Sequence, residues 1–158
     1  MPLVREPLMG TCRLMRPQPP DPGTAGLPEF ILDGTSFDDL AGFFTAITRT
    51  LSLARWGRNL DAFNDILRGG FGIPEGGFIL RWANSAISAE RLGWPETIRF
   101  IEEMLATCHP SNIPRVQADL AAARRGQGQT LFDIITSIIR AHGPGGIEAE
   151  DNVHLILA

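Results

Sequence analysis

The stretch Trp56-Gly57-Arg58-Asn59-Leu60-Asp61-Ala62-Phe63-Asn64-Asp65-Ile66-Leu67 reads as a helix with one apolar and one charged side. At about 100° per residue, Leu60, Phe63, Ile66 and Leu67 share a face, while Asp61, Asn64, Asp65 and Arg68 share the opposite one. Asn59 stands where an N-cap belongs, and Asp61 sits in the first turn, where the helix dipole favours a carboxylate. Gly69-Gly70 ends the element. Asp61 and Asp65 lie one turn apart and point the same way. Within an isolated helix that arrangement is unfavourable by roughly 0.2–0.5 kcal/mol, until a cation joins it. Arg68, at i+3 from Asp65, could supply that cation, and so could a partner. A merely solvated face produces the same pattern.

Working outward, Phe30-Ile31-Leu32 is a short apolar run closed by Asp33-Gly34. Ser36 and Asp39 have capping-box spacing, and Leu40, Phe43, Phe44, Ile47 and Leu51 then follow at helical intervals. Downstream, Phe78-Ile79-Leu80 is a second apolar run, which Trp82 closes. Residues 95–106 and 113–125 predict two helices, each with a proline near its start, where proline is tolerated. Thr130 and Asp133 form another capping box before Leu131, Ile134, Ile135, Ile138 and Ile139, and His142-Gly143-Pro144 stops that helix. Val153-His154-Leu155-Ile156-Leu157 is the third apolar run. Short, barely alternating runs separated by helices predict an α/β fold with three parallel strands buried on both faces and joined by right-handed crossovers.

Seven of the 12 prolines fall within residues 1–28, so this part reads as a proline-rich extension, with 16–28 a linker and 8–15 a candidate edge strand. The rest, 29–158, is expected to be one domain. The 158-residue chain carries 18 acids against 14 bases, all arginine, for a formal charge of −4. There is no strongly basic domain of the kind that binds nucleic acid directly. No apolar run is long enough to span a membrane, and the first residues lack a signal-peptide layout, so a cytoplasmic protein is expected. Cys12 and Cys108 have no pairing pattern. The neighbours Cys108 and His109 read as a turn rather than a catalytic pair, because catalytic thiols and imidazoles usually meet from distant sequence. His142 is expected to satisfy the end of its helix, and His154 to be a strand or edge residue. The histidines and cysteines lack zinc spacing, and no Gly-Lys-Ser/Thr follows the glycines at 69–77. Neither an enzyme, a metal nor a cofactor is expected.

The motif from Trp56 to Leu67 resembles the signature of the barstar family, intracellular inhibitors of the ribonuclease barnase. In that family an aromatic-Gly-x-Asn-Leu-Asp-Ala stretch leads into an acidic helix. The resemblance extends to Ile31-Leu32-Asp33-Gly34, to Phe78-Ile79-Leu80-Arg81-Trp82 and to the last helix and strand, about residues 30–90 and 130–158. It implies a three-stranded parallel sheet packed with helices, and a helical insertion at about 91–129. Trp94, Phe100, Ile101, Met104 and Leu105 give that insertion an apolar side to pack with.

What the resemblance implies for function is a plug for a ribonuclease active site, with carboxylates on a rigid helix standing in for substrate phosphates. By position, Asp61 and Asp65 face the enzyme's cationic site. Gly57, Asn59 and Leu60 form the loop that approaches its mouth, and Gly69 is a contact at the helix end. Asn64 replaces a family tryptophan on the binding helix, Arg55 a tyrosine in the binding loop, Arg68 a threonine and Gly70 a tryptophan. The glutamate of the last helix aligns with Ala141. The implied partner is an extracellular or toxin ribonuclease of barnase type, with no direct nucleic-acid or membrane contact. The alternative is a protein-interaction module that keeps the fold and has lost inhibition.

Overall fold

The computed structural model describes residues 21–158. The candidate edge strand at 8–15 and most of the proline-rich extension therefore lie outside the described residues. Strands β1 (Glu29–Asp33), β2 (Phe78–Ala83) and β3 (Val153–Leu157) form one parallel sheet in the order β1-β2-β3. Phe30 pairs with Leu80, and Leu80 with Leu155, so the inward residues of all three strands lie abreast. This is the α/β architecture expected from the three apolar runs.

One part of that expectation is corrected. The outer face of the sheet is covered only in part: there Ile79 of the central strand is buried, at 9% exposure, but its neighbours on the edge strand β1 are not. Leu32, Phe78, Leu80, Trp82 and Val153 point into the core, whereas Ile31 on the other face is 62% exposed. Arg81 and Glu29 form an ion pair across that outer face. The short runs barely alternate because isoleucine also occupies outward positions, buried at Ile79 and exposed at Ile31, so their composition hides which part of the outer face is covered.

Helix α1 (Leu40–Thr50) lays Leu40, Phe43, Phe44 and Ile47 on the sheet. Phe43 stacks on Trp82 with ring centroids 5.4 Å apart and meets Phe63 edge-on at 5.5 Å. Helix α2 (Leu60–Leu67) buries Phe63, Ile66 and Leu67 against this aromatic cluster. The cap of α1 differs from the expected box. Asp39 is the N-cap and accepts from the Gly42 amide at 2.7 Å, while the Ser36 hydroxyl is spent on the Asp33 carbonyl.

A seven-residue helix, α3 (Ser85–Arg91), has no counterpart among the expected elements. Its one buried residue, Ser88, accepts a hydrogen bond from the Trp82 indole at 2.9 Å and donates to the Gly34 carbonyl. Helices α4 (Trp94–Thr107) and α5 (Ile113–Arg124) pack on each other, and α6 (Leu131–Ala141) packs on β3 and α2. The Thr130–Asp133 capping box at the start of α6 is present in both directions. The α4–α5 pair is tied to the core by two buried caps. Glu96 accepts from the Leu40 amide at 2.9 Å, and Thr97 accepts from the Leu131 amide at 2.9 Å. Two orphan amides at helix starts are thereby satisfied from a third helix. Among the described residues, no helix is long and apolar enough to cross a membrane.

Candidate functional site

The direction of α2 follows from its sequence. Phe63 is fully buried and Ile66 and Leu67 nearly so, which turns Asp61 and Asp65 to solvent. Asn59 caps the helix as expected, its side-chain oxygen accepting from the Ala62 amide at 2.8 Å. Trp56 fixes the loop that leads in. Its indole N–H donates to Thr48 Oγ1 at 2.9 Å, and its ring meets Phe44 edge-on at 5.5 Å. Gly57 is exposed, and a Cβ there would lie 3.1 Å from the Cβ of Ala62, so its smallness serves the close approach of loop to helix. Leu60 is half-buried against the core. Arg55 is exposed. Gly69 and Gly70 turn the chain with φ of 115° and 76°, a region that favours glycine.

Besides the capping Asn59, two more of the candidate residues are engaged within the molecule. Asn64 Oδ1 lies 3.0 Å from His142 Nε2. Asp65 pairs with Arg68 at 2.5 Å, as the i+3 spacing allows, with side chains 64% and 47% exposed. Asp61 has no cationic partner within salt-bridge distance among the described residues.

Sequence reasoning missed the residues that brace this face from behind. Glu148, 80 positions from Arg68, receives two hydrogen bonds from it, at 2.6 and 2.8 Å. Those bonds hold the Glu148 carboxyl below its ordinary range, and burial opposes the shift. The same contact raises the Arg68 guanidinium. His142 does not act as a simple helix-end residue. Its side chain is wholly buried, with Nδ1 2.6 Å from Asp151 Oδ2 and 3.2 Å from Glu148 Oε2. The ring thus joins the end of α6, the turn at 148–151 and the polar side of α2. His142, Glu148 and Asp151 also bring ligand-type atoms within 4.8 Å of one another, which their sequence spacing does not suggest. Here they are occupied by hydrogen bonds to one another, to Asn64 and to Arg68. No sequence signal could have found this network, because its members meet only through the fold.

Cys108 is a free, half-buried thiol bonded to the Leu105 carbonyl, and His109 bonds Ser111 in the turn that starts a short 3₁₀ segment. The two neighbours serve separate local bonds. His154 Nε2 lies 2.8 Å from Asn152 Oδ1, a strand-edge contact.

A family model described as Barstar (barnase inhibitor) matches residues 27–114, more than half of the chain. The match runs from β1 through α4, so it includes the Trp56 loop and α2, reaches into the stretch 91–129 expected to be an insertion, and ends before α6 and β3. No curated protein matches the chain.

Proposed function

The chain belongs to the barstar (barnase inhibitor) family, whose members are non-enzymatic inhibitors, and on that premise we propose that it blocks the active site of a barnase-like ribonuclease with the acidic side of α2. The observation that carries this reading is the pair Asp61 and Asp65, exposed on a helix whose direction the buried Phe63, Ile66 and Leu67 determine. A ribonuclease cleft is cationic because it binds phosphates. Carboxylates held on a rigid helix meet such a cleft without first losing conformational freedom. The pinned loop at Trp56 and the Asn59 cap keep the approach to that cleft in one shape.

A second reading draws on the Asp65–Arg68–Glu148 network, which already supplies Asp65 with a cation. A face satisfied from within suits an interaction module that no longer inhibits. Solvent exposure argues for the first reading: an ion pair open to water is weak and yields to a better-placed cation. Titration of the protein into a panel of small bacterial ribonucleases separates the two. The inhibitor reading expects at least one enzyme to lose activity at one-to-one stoichiometry. Binding without loss of activity would favour the interaction module, and no binding across the panel would contradict the inhibitor reading.

A further inference from the structure

The loop before α2 carries a second charged feature, opposite in sign to the acidic helix. Arg55 and Arg58 are exposed, and both line one hollow together with Thr48, Leu53, Ala54 and Trp56. No carboxylate lines that hollow. Among the described residues, neither arginine has an acidic partner within salt-bridge distance, whereas Arg68 is held by Asp65 and Glu148. The floor is fixed, because Trp56 is hydrogen-bonded to Thr48 and packed on Phe44. Arg58 has φ of 48°, a left-handed conformation that a side-chain-bearing residue keeps only where its surroundings hold it. Trp56 and the capping Asn59 supply that hold on either side. Two guanidinium groups are thus presented at one half-apolar hollow with no counter-charge.

We propose that this hollow receives a carboxylate of the partner protein. The proposal rests on the reading of α2 as the inhibitory face. The partner then presents an acidic side chain beside the cationic cleft that meets Asp61 and Asp65, and the surface is read in two signs. A guanidinium matches a planar carboxylate with two parallel N–H donors. A polyanionic nucleic acid is disfavoured, because the exposed Asp61 follows Arg58 by only three residues and the whole chain carries a charge of −4. The arrangement also selects among partners: an enzyme with a uniformly basic rim meets repulsion from Arg55 and Arg58.

The test uses the full chain and the tightest-binding ribonuclease of the panel. Binding is measured for wild type, R55A/R58A, R55K/R58K and D61A/D65A, and for enzyme variants in which exposed rim acids are changed one at a time to amides. R55A/R58A should bind about ten- to a hundredfold more weakly, and R55K/R58K should recover part of that loss. One enzyme substitution should weaken wild type by a similar factor and leave R55A/R58A unaffected. If R55A/R58A binds as well as or better than wild type while D61A/D65A loses binding, the carboxylate site is refuted and the α2 reading stands. If D61A/D65A binds like wild type, the α2 reading fails, and the two-sign contact fails with it. A single-stranded RNA oligonucleotide that competes with the enzyme, and does so only when Arg55 and Arg58 are present, would make the hollow a nucleic-acid site and overturn the proposal.

Discussion

Asn59 shows how one side chain serves both the fold and the proposed contact. Its oxygen accepts from the Ala62 amide at 2.8 Å and so sets where α2 begins, one residue before Leu60 and two before Asp61. Asn59→Ala should lower stability by about 1 kcal/mol, measured by urea denaturation. It should also weaken partner binding, because Asp61 lies in the turn that would fray. Binding at wild-type strength in a variant that has lost this stability would show that the start of α2 does not matter to the contact. This residue was legible from sequence, since an asparagine before an acidic first turn is a local signal. His142 was not legible. Its place after an apolar helix suggests a capping role, and its actual neighbour Asn64 is 78 positions away. Ser36 misleads for a local reason: its hydroxyl has a nearer acceptor in the Asp33 carbonyl, which leaves Asp39 to cap α1.

At the scale of elements, α2 is braced to the turn at 148–151 by Arg68 and Glu148. The Glu148 carboxyl is held below its ordinary value of 4.5 by hydrogen bonds from Arg68. A depressed folded-state value means that the brace stabilises fully above the unfolded-state value and is lost as pH falls through the folded one. Acid titration of stability should therefore show a component below about pH 4.5 that Glu148→Gln removes. An identical acid limb in that variant would mean the brace contributes nothing. Arg68→Thr, by contrast, frees the carboxylates of Asp65 and Glu148 together. That variant should bind a plainly basic ribonuclease cleft more tightly than wild type, with faster association at low salt; equal or weaker binding would show that Arg68 does not oppose such partners. Among the elements, the long helices were legible because each carries an apolar stripe and most have a recognisable start. Helix α3 was not. It has seven residues, its N-cap Asn84 makes no side-chain cap bond, and its single buried residue is the polar Ser88.

At the scale of the whole molecule, the three parallel strands and the helices between them follow from three apolar runs and their separations. The exposed edge of the outer face does not, because Ile31 reads as a buried-strand residue although it is 62% exposed. The α4–α5 pair packs on the core and leaves the acidic side of α2 uncovered, for Asp61 and Asp65 remain exposed. Its attachment runs through Glu96, which is 8% exposed and caps the Leu40 amide. Glu96→Ala leaves that buried amide unsatisfied and should lower stability by about 1–3 kcal/mol, read from denaturant melts, with no change in partner affinity. A loss of affinity at unchanged stability would instead place the pair in the contact. The central claim concerns α2, and one measurement reaches it most directly: inhibition of a sensitive ribonuclease by wild type and by D61A/D65A, with folding of both verified. Each aspartate that acts as a desolvated anchor should account for about 2–5 kcal/mol of binding, mostly through faster dissociation, so the double variant should inhibit only at far higher concentration. Equal inhibition by the two proteins would contradict the account.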